Sequence, residues 1–363
     1  MAQGLEEVIV TAQKREQSFQ DLAISAAVLT STELDKKGIV QVQDAIKQVP
    51  GVKVQSIAGT GSGRIFIRGV GTTGRTDEYT ESFANGVAMN LDGVNSNNAS
   101  NLLGTMFDVE RVEVLKGPQG TLYGSSALGG VVNVITAQPS HELEAKIKVQ
   151  LGNYDEQLYQ GMVNIPVTDE IAVRLTGTKN QRDGYTGGPS TYTFDVPPPL
   201  QADFLQQWGS FELPADSHGS VDSESYRIKA LWEPSDNFSA IVSYERTSDQ
   251  GTAPTWISVE DALNGNLECC NLAAGGPPAF AVPEWYANAY YKRGGETWVG
   301  SFSYDFGDVG VLSFKGSHNK LWDVGRSGEL TPYELATQEA RGQTQDTYEL
   351  NLNSAADSYI TWV

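Results

Sequence analysis

Five glycines, Gly117, Gly120, Gly124, Gly129 and Gly130, crowd the stretch 115-LKGPQGTLYGSSALGGVVNVIT-136. Such a loop cradles phosphate when its backbone N–H groups converge on the anion and a closing Gly-Lys-Ser/Thr supplies a cation. Here Lys116 precedes the glycines and no such ending follows. A second candidate, 69-GVGTTG-74, has the spacing of a dinucleotide loop behind the strand-like 64-RIFIR-68. That chemistry needs a helix opening at the third glycine with its N-terminus aimed at a pyrophosphate. The following 75-RTDEYTESFANG-86 carries no apolar helical stripe, so neither loop reads as a phosphate site.

The remaining reactive side chains are scattered. His141, His218 and His318 stand far apart, without the spacing of a zinc protease or a neighbouring nucleophile motif. Cys269 and Cys270 are adjacent, beside 275-GGPP-278; they read as a strained vicinal disulfide or two free thiols, not a metal site. The carboxylates read as solvated surface charge. No catalytic residue, metal ligand or cofactor site is assigned, and the chain does not read as an enzyme.

Lys and Arg total 25 against 45 Asp and Glu, a net charge of -20. That balance repels nucleic-acid phosphates and excludes DNA and RNA as partners. No run of about 18 apolar residues exists to cross a bilayer as a helix. A closed β-barrel remains open, because its strands turn only every second residue to lipid. Met1-Ala2-Gln3 has no apolar signal region behind it, so the chain reads as a mature start preceded by an initiator Met.

Two kinds of text follow one another. Up to about residue 140 the chain reads as a small α+β unit. Thr30 and Glu33 form a capping box closed by Gly38, and Val42, Ala45, Ile46 and Val49 keep helical spacing before 50-PG-51. Strand-like pieces occur at 52–55, 64–69, 87–93, 109–117 and 130–136. Beyond 140 the repeat becomes two. In 143-LEAKIKVQL-151 the odd positions are apolar and the even ones polar, a pattern peculiar to strands. Comparable segments at 159–167, 171–179, 226–232, 238–244, 298–306, 310–317, 347–353 and 358–363 bring the total to about eight or nine, each near the roughly 9–11 residues of a tilted membrane strand.

The connections alternate between tight (166–170, 233–237, 307–308) and long (183–221, 249–295, 323–342), the asymmetry of an outer-membrane barrel. The tight 152–156 connection is grouped with the short ones. Tyr154, Trp232, Tyr244, Trp298 and Trp322 would suit interfacial girdles, and Lys146, Lys148, Arg227 and Lys229 a wet lumen. A two-layer β-sandwich, for instance a non-energised carbohydrate-binding module, stays open on periodicity alone.

The order 6-EEVIVTAQKREQ-17, 45-AIKQVPGVKV-54, 65-IFIRGVG-71, 91-LDGV-94 and 107-FDVERVEVLKGPQGTLYGSSALGGVVNVIT-136 resembles the plug domain of TonB-dependent outer-membrane receptors. One departure is Ser125-Ser126, where relatives often carry Arg-Asn. The resemblance implies a TonB-box segment at 1–18, a plug at 19–140 and the first part of a transmembrane β-barrel from 141 to 363. It implies about 22 antiparallel strands, so the chain is expected to be an amino-terminal fragment or to be completed by another chain. The glycine-rich stretch then becomes a turn system shaped by its enclosure.

The same resemblance implies roles. Glu7, Val8, Ile9, Val10, Thr11 and Ala12 match the TonB box, a strand offered to periplasmic TonB, or else form an ordinary first strand of the plug. Arg68 and Arg111 match positions that latch the plug to barrel glutamates, the alternative being an ion pair within the plug. Arg75, Asp77, Tyr79, Asn95 and Asn97 are candidate ligand contacts. The implied function is energised uptake of a scarce nutrient, such as a ferric siderophore, an oligosaccharide or another polar molecule, across the outer membrane of a Gram-negative bacterium.

Overall fold

The computed structural model describes residues 9–10, 17–21, 24–39, 41–56, 63–71, 86–96, 107–123, 127–184, 186–187, 217–252, 290–327 and 337–355. Strands β1 (Ile9–Val10) and β2 (Gln17–Ser18) form a short antiparallel pair. β3 (Ser25–Thr30) then leads into helix α1 (Ser31–Lys36) through the expected capping box. Thr30 Oγ1 accepts from the Glu33 backbone N–H, and Glu33 Oε2 accepts from that of Thr30. Helix α2 (Val42–Ile46) ends one turn earlier than its apolar spacing suggests, but Val49 is still buried beside it.

Two hairpins follow. β4 (Val52–Ser56), β5 (Gly63–Ile67) and β6 (Val70–Gly71) make a three-stranded sheet. β7 (Val87–Leu91) and β8 (Val94–Ser96) pair with each other. The sequences IRG and LDG supply their turns: Arg68-Gly69 and Asp92-Gly93 have φ of 52°, 86°, 49° and 79°. Positive φ at both central residues is what a twisted two-residue hairpin demands. The loop 69-GVG-71 is therefore hairpin, not the strand-to-helix turn of a dinucleotide site; residues 72–74 lie outside the described residues.

β9 (Val109–Lys116), the short helix α3 (Gly120–Tyr123) and β10 (Gly130–Thr136) complete this unit. The strand order is β3-β9-β10-β7-β8, and the β10–β7 pairing is parallel. One sheet face packs α1 and α2 through Leu29, Leu34, Ile46, Met89, Val112 and Val132. The other buries Val10, Ala88, Leu115, Ala127 and Val131. Burying each such side chain contributes about 1.5–3 kcal/mol before chain entropy is subtracted. A Cβ on Gly129 would sit 2.7 Å from Val70 Cβ, and one on Gly130 would enter the Leu115 carbonyl. At Gly129 and Gly130 the glycine is thus required by close approach within the α+β unit itself, and the expected shaping by a surrounding wall is not seen at these positions.

The second half is one eight-stranded antiparallel sheet. Its strands are β11 (Glu144–Gly152), β12 (Glu156–Pro166), β13 (Ile171–Arg182), β16 (Val221–Ser235), β17 (Phe238–Thr252), β18 (Tyr290–Asp305), β19 (Gly310–Ser327) and β20 (Thr337–Ser354). A two-residue pair, β14 (Thr186–Gly187) with β15 (Ser217–His218), closes the base of the loop between β13 and β16. Strand direction puts the turns 167–170, 236–237 and 306–309 at one end and the long connections at the other. The tight 153–155 turn falls at the long-loop end, because it precedes a turn at the opposite end.

The outer face of this sheet is apolar and open: Ile147 is 83% and Leu151 72% exposed. The inner face meets the α+β unit instead of a second sheet. A dry two-layer sandwich is therefore replaced by a curved wall around a plug, an incomplete barrel. The segment 358–363 lies outside the described residues.

Candidate functional site

Two plug carboxylates and three wall cations hold the interface. Asp108 precedes β9 with φ of 56°, which turns its carboxylate toward β13. Arg174 grips it with both arms, Nη2 to Oδ1 at 2.6 Å and Nε to Oδ2 at 2.7 Å. Thr176 Oγ1 donates to Oδ2 at 3.0 Å, and Arg174 Nη1 reaches Glu144 at 3.1 Å. The Arg174 and Asp108 side chains are 7% and 8% exposed, so the fork works where water screens little.

Asp92 occupies the β7–β8 turn. Its carboxylate accepts from Thr136 N at 2.8 Å and Oγ1 at 2.7 Å, and Lys229 Nζ lies 3.0 Å from Oδ2. Its carbonyl accepts from Lys315 Nζ on β19 at 2.5 Å. A Cβ on Gly93 would stand 2.7 Å from that ammonium, so the turn needs glycine for its φ and for its neighbour. Lys229 also donates to Thr136 O at 3.4 Å and Gln138 Oε1 at 3.3 Å. Burial pushes the Asp92 carboxyl up, but the Lys229 and Arg227 charges and the Thr136 hydrogen bonds outweigh it and hold it below the ordinary value. Lys146 with Asp35, at 2.7 Å but half-exposed, adds little.

Between the Asp92 turn and the wall lies a cleft of about 60 Å³, bordered by Asn95, Arg227, Glu245, Asn319 and Gln345. Arg227 bonds Glu245 at 3.0 Å. Among the described residues no group of three or more His, Cys, Asp or Glu is placed to hold a metal; Cys269 and Cys270 lie outside them.

Arg111 is buried inside the plug, its Nε 2.8 Å from Glu113 Oε1 and its Nη1 against Glu110. Glu113, fully buried, also accepts from Asn133 Nδ2 at 3.3 Å. The nearby Tyr123 hydroxyl is pushed well above its ordinary pKa by burial, with the charges of Glu113 and of Glu349 on β20 adding to the effect. Arg68 sits exposed in its hairpin turn. Ile9 and Val10 form β1, and Val10 is buried on the plug. Asn95 donates to Asn90 Oδ1 at 3.2 Å. Glu7, Val8, Thr11, Ala12, Arg75, Asp77, Tyr79 and Asn97 lie outside the described residues. Sequence reasoning passed over Asp92, Asp108, Arg174 and Lys315. The available signal was a charged residue on the inward repeat of a strand, as at Arg174 and Lys315.

A folded plug held by buried ion pairs against the inside of an antiparallel wall with an apolar exterior defines a plug domain seated in an incomplete barrel. Residues 18–131 match the family model described as TonB-dependent Receptor Plug Domain. Those residues therefore carry a plug domain of the TonB-dependent receptor type, and the strands that follow have the fold of the adjoining barrel wall; that family is one of receptors and transporters. It is 26% identical over 244 residues to the vitamin B12 transporter BtuB of Vibrio vulnificus (strain YJ016), covering 66% of this chain and 38% of that protein. It is 31% identical over 192 residues to the iron-regulated outer membrane virulence protein of Vibrio cholerae, covering 49% and 28%. The fold matches the ferric yersiniabactin uptake receptor FyuA of Yersinia pestis with a TM-score of 0.70 at 21% identity, over 92% of this chain and 46% of FyuA. The chain thus spans less than half the length of each of these proteins.

Proposed function

We propose that this chain is the plug-bearing part of a receptor that draws a scarce small nutrient across the outer membrane, energised through TonB. The observation that carries the reading is the seat: Asp92 and Asp108 fix a complete small domain to the wall through Lys229, Lys315 and Arg174. A soluble binding module has no use for a domain occupying its own lumen. The class of ligand proposed is a ferric chelate, in keeping with the iron-regulated relative. A cobalamin or an oligosaccharide would enter by the same route.

In this reading residues 7–12 form the strand that TonB takes by edge pairing. Val10 is buried on the plug, and its withdrawal costs about 1.5–3 kcal/mol, so a pull on the strand is transmitted directly to the plug core. The β-branched run 8-VIV-10 favours the extended conformation required.

The test uses the full-length gene product in a strain lacking its own ferric-chelate receptors. Uptake of labelled ferric chelates, cobalamin and oligosaccharides is measured with and without TonB. Energy-dependent uptake of one of them, abolished by Val8→Pro with binding intact, supports the proposal; uptake that is indifferent to TonB and to Val8→Pro overturns it.

A further inference from the structure

A row of polar side chains crosses the plug sheet on the face that holds the N-terminal strand. Glu113 on β9, Asn133 on β10, Asn90 on β7 and Asn95 on β8 are successive register partners. Glu113, Asn133 and Asn90 are 0%, 2% and 1% exposed. The row runs from the cleft, which Asn95 borders, to the buried Arg111. From Asn95 to Glu113 the amides donate in one direction. Asn95 Nδ2 donates to Asn90 Oδ1 at 3.2 Å, and Asn133 Nδ2 to Glu113 Oε2 at 3.3 Å. Arg111 Nε holds the end of the row, 2.8 Å from Glu113 Oε1.

One rung of this row is unmade. Asn90 Nδ2 and Asn133 Oδ1 are buried without a hydrogen-bond partner among the described residues. The first is a donor and the second an acceptor, and their residues are partners on neighbouring parallel strands. Strands in that relation lie about 4.8 Å apart, and in-register asparagines there join amide to amide as a ladder. Leaving both atoms unbonded costs the desolvation of each, so something on the same face holds the rung open.

The adjoining row contains it. Two residues along β9, β10 and β7 stand Leu115, Val131 and Ala88, again successive register partners and, by the period of two, on the same face. They form one buried cluster with Ala127 and with Val10 of β1, which is 0% exposed. Ala88 is the smallest side chain of the three, so the room above this row is greatest at the β7–β10 boundary. The pocket that holds Val10 thus lies over the same seam as the unmade rung. Between β9 and β10, where Leu115 and Val131 fill the row, the next rung is made, from Asn133 to Glu113.

We infer that Val10 in its pocket is a wedge that holds the Asn90–Asn133 rung open, and that the rung closes when β1 leaves. The inference rests on the reading of residues 7–12 as a strand that is withdrawn. Two states follow. With β1 seated, the burial of Val10 is kept and one hydrogen bond is forgone. With β1 withdrawn, Asn95, Asn90, Asn133 and Glu113 form a continuous chain in which each bond polarises the next. Closure of the rung offsets part of the apolar burial lost with Val10, so the plug releases its N-terminal strand more easily than a valine buried on an apolar sheet would allow.

The test uses the full-length receptor with Cys269→Ser and Cys270→Ser in place, and reads amide hydrogen exchange of the β1–β2 pair by mass spectrometry. Asn90→Cys with Asn133→Cys permits a disulfide, because strand spacing lies within the usual Cα range of that bond, and the disulfide imposes the closed seam. Protection of β1 and β2 should be lost on oxidation and regained on reduction; protection that survives oxidation overturns the inference. Asn90→Leu keeps the shape of the side chain but cannot close the rung. It should slow exchange of the β1–β2 amides by about 5-fold, the scale of one intramolecular hydrogen bond, and exchange that is unchanged or faster overturns the inference as well. Val10→Ala shrinks the wedge and leaves the row untouched. The Asn90 side-chain NH2 should then show a hydrogen-bonded NMR shift, and an unmoved resonance overturns the wedge. Uptake by the native receptor that is indifferent to TonB would instead overturn the reading of residues 7–12, whatever the exchange of β1 shows.

Discussion

Asp92 and Lys229 meet at 3.0 Å across the boundary between plug and wall, and the same turn gives its carbonyl to Lys315. One two-residue hairpin loop is thereby tied to two wall strands. Removing one partner of a buried pair leaves the other charge unpaired, at about 3–5 kcal/mol. Asp92→Asn in the full-length receptor should therefore loosen the plug by an amount of that order, read as faster proteolysis within the plug and a lower denaturation midpoint. Adding Lys229→Met should recover part of the loss. Equal stability of Asp92→Asn and the native protein would show that the pair does not seat the plug.

The protonation of Asp92 sets a pH dependence. Its carboxyl is held below the ordinary value once Lys229, Arg227 and Thr136 have outweighed burial. A depressed carboxylate contributes stability that is fully present above the unfolded value, near 3.9, and is lost as pH falls through the lower seated value. Plug protection should stay flat from pH 7 to about 5 and decline only in stronger acid, with the decline smaller in Asp92→Asn. A midpoint near pH 6 would point to a different group.

Arg174 is expected to tolerate lysine poorly. Its two bonds to Asp108 and a third to Glu144 use the planar fork that an ammonium lacks. Arg174→Lys keeps the charge and should still cost about 1–2 kcal/mol through the lost charge-assisted hydrogen bond. Hydrogen exchange at the Asp108 turn is the direct readout, and unchanged exchange would reduce the fork to a simple charge contact.

Gly93 and Gly161 offer a matched comparison. Gly93 has φ of 79° and would place a Cβ 2.7 Å from Lys315 Nζ, whereas a Cβ on Gly161 meets nothing within 4 Å. Gly93→Ala should cost about 1–2 kcal/mol or more from the left-handed backbone alone, and should displace Lys315 as well. Gly161→Ala should be near neutral. Similar melting temperatures for the two variants would contradict the account of the turn.

The plug was legible in sequence where its signals are local. The Thr30–Glu33 capping box acts over a few residues, whereas the turns at Arg68-Gly69 and Asp92-Gly93 fall inside segments that read as strand, and the neighbours that require Gly129 and Gly130, Val70 and Leu115, are distant or on another strand. Strand centres in the wall were legible from period two, but their lengths were not. The alternation at 226–232 is the middle of a strand running Val221–Ser235, whose upper part, with Glu224 and Ser225, is polar on both faces. Hydrophobic alternation vanishes there while pairing continues. The seat was hidden for another reason: Asp92 and Asp108 look like ordinary turn residues until curvature brings Lys229 and Arg174 to them.

Arg111 separates two accounts of the plug. It pairs with Glu113, which is fully buried and also bonded to Asn133, so Arg111→Ala strands a buried carboxylate and should cost about 3–5 kcal/mol. If the main role of Arg111 is to neutralise Glu113 within the plug, Arg111→Ala with Glu113→Ala should regain most of that stability and keep the plug seated. If instead Arg111 latches the plug to a wall glutamate, the double variant should fold yet release the plug from the wall, seen as new protease sites on the wall-facing edge. Glu349 on β20, close enough to Tyr123 to raise its hydroxyl pKa, is the wall carboxylate to test. Glu349→Gln should unseat the plug only in the second case, and because it leaves Glu113 in place its effect is independent of the cost of a stranded charge.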